Sequence, residues 1–175
     1  GNLVDGRRYA TGVSSRVTGL IMGGFDSPSF SNMIQKITIS STGNATDTGG
    51  DLSSSKHFGC GASNGTRGFY AGGNVPSPDT NIIEFVTISN VGNMVDFGDL
   101  TLARQGMSGM CNTPTRALFM GGNHSPYPID LIIMSTQGNA TDFGDVTTPY
   151  GAQCSNAVRG LYGGGDPHTT SIEFV

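Results

Sequence analysis

The chain has no tryptophan, two lysines, three cysteines and little charge of either sign: 13% of its 175 residues are Asp, Glu, Lys or Arg, and the formal net charge is −4. Each shortage excludes something. Without a basic patch, a groove that tracks a nucleic-acid backbone is not expected. No stretch approaches the roughly 20 apolar residues of a membrane-spanning helix, and the first residues do not read as a signal peptide, so membrane insertion is not expected. Cys60, Cys111 and Cys154 are odd in number, far apart and outside any CxxC. That argues against a disulfide framework and against zinc. Gly at 28 residues and hydrophobics at 35% approach a disordered composition. The low charge and the short β-branched runs between Gly, Asn, Thr and Ser instead predict many short strands with tight turns.

What is present is a repeat. Four landmarks recur in fixed order. A run of small residues comes first ("YATGVSS" from Tyr9, "HFGCGAS" from His57, "MSGMCN" from Met107, "YGAQCSN" from Tyr150). An apolar triplet closed by glycines follows ("GLIMGG", "GFYAGG", "ALFMGG", "GLYGGG"). Then comes an extended run ("IQKITIS" from Ile34, "IEFVTIS" from Ile83, "IDLIIMS" from Ile129, "IEFV" from Ile172). The last is a polar phrase, GNxxD, as in "GNATDFGD" at 138 to 145, with "GNLVDG" opening the chain. The double glycines begin at 23, 72, 121 and 164, spacings of 49, 49 and 43. A period of roughly 40 to 50 residues with four strand-like pieces is the signature of a propeller blade. In the extended run, Ile37, Val86, Ile132 and Val175 share a face with Ile39, Ile88 and Met134 at period 2. The second position is polar throughout (Gln35, Glu84, Asp130, Glu173), as expected of a strand end near water.

This pattern resembles the kelch repeat, in which an inner strand lines the axis, a second ends in Gly-Gly, a third alternates and a fourth is outermost. The Gly-Gly is intact in all four copies, while the Tyr and Trp usual after it are missing. The GNATDFGDL phrase resembles repeats of marine bacteriophage tail and fibre proteins. The resemblance implies an all-β, four-bladed kelch-like β-propeller. In kelch order the chain starts in a fourth strand (1–8), runs through blades at about 9–49, 57–98 and 105–145, and ends in a third strand within 150–175. The N-terminal strand is therefore expected to close the last blade and cover two open sheet edges. A trimeric β-prism with exchanged strands is the architectural alternative. The abrupt start and end also suit a module of something longer.

Few blades crowd the axis, so inner strands should carry small residues. Gly12, Gly59, Gly61, Gly109 and Gly151 fit. The three cysteines are aligned at one repeat position with Val13, which reads as small buried hydrophobes rather than metal ligands. No metal or cofactor is expected. In GNxxD, Asn and Gly suit tight turns and Asp suits bonds to nearby backbone; one acid per blade does not converge on a calcium ion. Arg67, Arg116 and Arg159 precede the second strand and are expected to pair with nearby acids. The N-x-T sequons at Asn44, Asn64 and Asn139 read as accidents of turn composition.

No phosphate loop, triad spacing or zinc motif is present, and His57, His124 and His168 fall in different copies. An enzyme is not expected. The loops after Gly-Gly (25–33, 74–81, 123–128, 166–170) differ in length, hold six of the eight prolines and should emerge on one face. Variable, stiff loops on a rigid scaffold are a usual place for recognition. Asp26, Phe30, Asp79, His124, Tyr127 and His168 are the candidate binding residues. The phage resemblance implies a virion component, such as a tail fibre, appendage or decoration, that meets a host glycan or protein on one side and other virion proteins, or further copies of itself, on another. The alternative is a cellular or secreted kelch-type interaction module or lectin; a kelch-type oxidase or lyase ranks third.

Overall fold

In a computed structural model that describes residues 1–111, 113–156 and 158–175, with Met110 and Cys111 described by backbone alone, the chain is all-β and its four principal sheets stand around one axis as the blades of a β-propeller. Blade 1 comprises β1 (Thr11–Ser14), β2 (Thr18–Met22), β5 (Met33–Thr38) and β6 (Thr46–Asp51), with a small hairpin, β3 (Phe25–Asp26) and β4 (Ser29–Phe30), in its loop. Blade 2 comprises β7 (Cys60–Ser63), β8 (Arg67–Ala71), β9 (Ile82–Thr87) and β10 (Val95–Asp99). Blade 3 comprises β11 (Met107–Cys111), β12 (Arg116–Gly121), β13 (Pro128–Ile133) and β14 (Thr141–Asp145). Blade 4 has three strands, β15 (Ala152–Ser155), β16 (Gly160–Gly163) and β17 (Ile172–Phe174). Within each blade successive strands are antiparallel.

Period-2 alternation sends neighbouring residues of each strand to opposite faces, so every blade has two apolar sides. One core joins blades 1 and 2 through Val13, Leu20, Met22 and Leu52 against Tyr70, Val86 and Ile88. A second joins blades 2 and 3 through Phe69, Ile83, Phe97 and Leu100 against Phe119, Ile132 and Met134. A third joins blades 3 and 4 through Leu118, Met120, Ile129 and Val146 against Tyr162 and Val175. Each large side chain so buried contributes on the order of 1.5–3 kcal/mol. The double glycines are required where they stand. Gly23 and Gly72 have φ of 64° and 61°, and a Cβ on Gly23 would lie 2.7 Å from the Lys56 carbonyl oxygen of the next blade's linker.

The expectation of small residues at the axis holds. A Cβ on Gly61 would meet Val13 Cγ1 at 2.8 Å, and one on Gly109 would meet the Gly61 oxygen at 2.5 Å. Register separates the cysteines, however. Cys60 lies opposite Ala71, Cys111 opposite Ala117 and Cys154 opposite Leu161. Measured from the double glycines these are three different repeat positions, and only Cys154 matches Val13, which lies opposite Leu20. Cys60 is buried and Cys154 exposed; the Cys111 side chain lies outside the described residues.

The expected N-terminal closing strand is not formed. Residues 1–8 hold no strand, and their hydrogen bonds run to blade 1. The reason is a slip of register in the opening phrase. Asn2 N–H donates to Asn44 Oδ1 as Asp51 N–H donates to Asn93 Oδ1 and Asp99 N–H to Asn139 Oδ1. Asn2 is thus the counterpart of Asp51 and Asp99, and "GNL" is the end of a phrase, matching Gly50-Asp51-Leu52.

The polar second positions are not near water either: Gln35, Glu84 and Asp130 are each 0% exposed. Each, like Glu173 in blade 4, clamps the segment that leads into its own blade, which for Gln35 is the N-terminal one. Gln35 Oε1 accepts from Val4 N–H, Glu84 Oε2 from Ser53 N–H, Asp130 from Thr101 N–H, and Glu173 from Thr147 N–H. Two of these acids also bind a buried cation: Glu84 pairs with Lys56 Nζ, and Asp130 Oδ2 lies 2.7 Å from Arg104 Nη1. In blade 1 the neutral Gln35 donates to Asp5, which pairs with Arg7. Among the described residues Arg67 and Arg159 pair with no acid. Each stacks on an aromatic ring of the neighbouring third strand, Phe85 at 4.8 Å and Phe174 at 5.4 Å, and Arg67 Nη1 donates to the Met134 carbonyl of blade 3.

Candidate functional site

The linker entering each blade and the loop after its double glycine meet at one end of the axis. Arg8 bridges Phe25, His57 bridges Asn74, Asn123 N–H donates to the Gln105 carbonyl, and Asp166 N–H to the Pro149 carbonyl. All four loops therefore emerge together, as their place in the repeat predicts. Each also carries one cis X-Pro bond, at Ser27-Pro28, Ser77-Pro78, Ser125-Pro126 and Asp166-Pro167.

At the last residues of the linkers stand Tyr9, Phe58, Gly106 and Tyr150, one per blade. Their φ angles are 60°, 56°, 70° and 58°. Glycine accepts that conformation freely; an L residue with a ring does so at a cost of roughly 1–2 kcal/mol. Backbone bonds run between successive members, from Phe58 N–H to the Tyr9 carbonyl and from Gly106 N–H to the Phe58 carbonyl. Tyr9 stacks on Phe58 with ring centroids 4.0 Å apart. Tyr150 covers Gly106, where a Cβ would meet its ring at 2.6 Å. Tyr9 and Tyr150 remain about half exposed, at 45% and 51%.

Around Tyr9 the aromatic surface widens. His57 packs 4.7 Å from Phe58 and 4.6 Å from Phe30, and Phe30 meets Phe25 edge-on at 5.4 Å. The Arg8 guanidinium lies over both Tyr9 and Phe25, at 5.2 and 4.9 Å. Beside this apolar sector is a polar one. Asp79 accepts from Asn74 Nδ2 at 2.9 Å and from Asn123 Nδ2 at 2.8 Å, and its carboxylate lies 3.6 Å from His124 Nε2. It thereby ties the loops of blades 2 and 3.

Of the six residues singled out from sequence, Phe30 joins the aromatic sector, and Asp79 and His124 form the polar one. Asp26 is exposed in the β3–β4 hairpin, and His168 is exposed in the blade 4 loop. Tyr127 is partly buried against the core between blades 3 and 4, so it supports the loop more than it presents a surface. Tyr9, Phe58, Tyr150, Phe25 and Arg8 were missed. Their signal was the aromatic before each inner strand, visible at Tyr9, Phe58 and Tyr150 and read there only as a landmark. Hollows of about 250 to 390 Å³ lie elsewhere, one along the axis and others on the exposed faces of blades 1 and 4. Among the described residues no group of three or more His, Cys, Asp or Glu side chains could hold a metal ion.

No known family model matches the chain, and no curated protein matches it.

Proposed function

We propose that the protein is a non-enzymatic binding module whose loop face recognises a surface glycan. The observation that carries this reading is the set of bulky aromatic residues held at φ near +60° around one end of the axis. A fold that needed only a turn there would use glycine, as blade 3 does at Gly106. Strain that persists in an exposed position is a mark of function. Half-exposed, rigid aromatic faces take the apolar side of a sugar ring, and the adjoining Asp79 and the two asparagines offer acceptors and donors for its hydroxyls. Rigid rings lose little conformational entropy on binding.

The double-glycine repeat resembles kelch modules, and the GNATDFGDL phrase resembles repeats of phage tail and fibre proteins. The second resemblance supports placing the chain in a virion component, a tail fibre, appendage or decoration, that meets a host surface; the first alone would equally suit a cellular or secreted interaction module. A glycan array probed with the intact protein tests the binding reading. Hits lost on Tyr9→Gly and Tyr150→Gly are expected; an array without hits overturns it. Neighbouring capsid or terminase genes would support the virion setting, and a metabolic operon would contradict it.

A further inference from the structure

Three joints hold the blades together, and each uses the trailing face of one blade and the leading face of the next. At the joint of blades 1 and 2, Val13 is a knob that enters a hole left by two glycines. A Cβ on Gly61 would meet Val13 Cγ1 at 2.8 Å, and one on Gly68 would meet Cγ2 at 2.7 Å and the Val13 Cβ at 3.5 Å. On the leading face of blade 1 the equivalent hole, at Gly12 and Gly19, receives no knob from another blade. A Cβ on Gly12 would meet only the Leu20 oxygen at 3.7 Å, and one on Gly19 only side chains of its own blade. On the trailing face of blade 4 the equivalent knob, Cys154, is exposed.

The neighbours of both features repeat the contrast. Ile172 is 73% exposed, whereas its counterparts Ile34, Ile83 and Ile129 are 0%, 0% and 3%. Leu161 is 41% exposed against 1%, 0% and 2% for Leu20, Phe69 and Leu118. On blade 1, Leu3 and Ile39 are 40% and 48% exposed, while Leu52 and Ile88 are 3% and 2%. The hollow over Leu3, Ile21, Ile37 and Ile39, of about 340 Å³, contains no blade 4 residue, and those over Cys154 and Leu161 contain none of blade 1. Among the described residues the two faces do not cover each other within the chain.

We infer that these faces are the two halves of a fourth joint, made between copies: the trailing face of blade 4 docks on the leading face of blade 1 of a second copy. Large apolar faces of this kind mark interaction sites. The partner is a second copy because contacts made at the joints within the chain have counterparts on these two faces. Cys154 enters at Gly12 and Gly19. Arg159, stacked on Phe174 as Arg67 is on Phe85, donates to the Ile39 carbonyl as Arg67 does to Met134. Gly165 N–H donates to the Arg7 carbonyl, as Gly24 and Gly73 donate to Lys56 and Arg104. Such a head-to-tail contact closes into a ring or continues as a filament.

Sedimentation analysis of the chain, 18.1 kDa as a monomer, should show species of two or more copies that Leu161→Asp with Ile172→Asp reduces to monomer while the β-sheet circular dichroism persists. Gly19→Cys should form an intermolecular disulfide with Cys154 on oxidation, since the corresponding Cβ separation at the first joint is 3.5 Å. A monomer at every concentration overturns the inference. So does a disulfide from the introduced thiol to Cys154, identified by peptide mapping, that forms within one chain, because the ring would then close on itself.

Discussion

Asn93 Oδ1 accepts the backbone N–H of Asp51 at 3.1 Å, and the next residue, Met94, donates its own N–H to the Asp51 carbonyl at 2.8 Å. One residue pair thus holds the phrase of blade 2 against the end of the outermost strand of blade 1. Asn139 and Ala140 repeat it on Asp99. The recurring Gly-Asn is therefore a joint between blades, and the Asp that follows serves the turn, as Asp47, Asp96 and Asp142 accept from Gly49, Gly98 and Gly144. Asn93→Ala should cost about 1 kcal/mol, the net worth of one hydrogen bond. Asn139→Ala should cost as much, and the double variant should be additive within ~0.5 kcal/mol. Urea unfolding midpoints check this.

The Lys56–Glu84 pair is wholly buried. Lys56→Met strands the Glu84 carboxylate and should destabilise by roughly 3–5 kcal/mol. Lys56→Met with Glu84→Leu should recover much of that loss, less the bond from Ser53 N–H to Glu84. A double-mutant cycle in urea would show a large coupling; additive effects would contradict a buried, mutually dependent pair.

Much of the architecture was legible because it is written in short-range pattern. The double glycines, the apolar triplets and the alternating third strands each report a local requirement, of φ, burial or period, and all four copies agree on them. What was illegible depends on pairing between distant residues. "GNLVDG" fits two places in the repeat, and the bonds from Asn2 N–H to Asn44 Oδ1 and from Ala45 N–H to the Asn2 carbonyl decide between them. Glu84 and Asp130 look like surface acids until Lys56 and Arg104, which come from separate linkers, are placed beside them. The loop face was found through Phe30, Asp79 and His124, but its aromatic centre was not. Tyr9, Phe58 and Tyr150 gain meaning from a positive φ that the sequence does not display.

Burial pushes the Cys60 thiol up from 9.0 to about 12, and it also raises the Tyr70 and Tyr162 hydroxyls. The unfolded chain ionises these groups first, so it binds fewer protons than the folded one, and stability should fall as pH rises from about 9 towards 12. Cys60→Ala should flatten that decline in an alkaline titration of the unfolding midpoint. At a pH of about 8, just below the ordinary thiol range, an alkylating reagent should spare the buried Cys60 in the folded protein and modify it once the chain is unfolded.

Tyr150 is the sharpest test of the loop face, because blade 3 shows the alternative at Gly106. Tyr150→Gly should raise stability by up to about 1 kcal/mol, through release of an unfavourable φ, less any loss of contact with Gly106. In the same preparation, affinity for the glycans that the intact protein retains should fall at least about tenfold, as loss of a stacked aromatic worth roughly 1.4 kcal/mol requires. A variant that is more stable and binds less is the predicted result. Undiminished binding would contradict a recognition role for the strained aromatic residues.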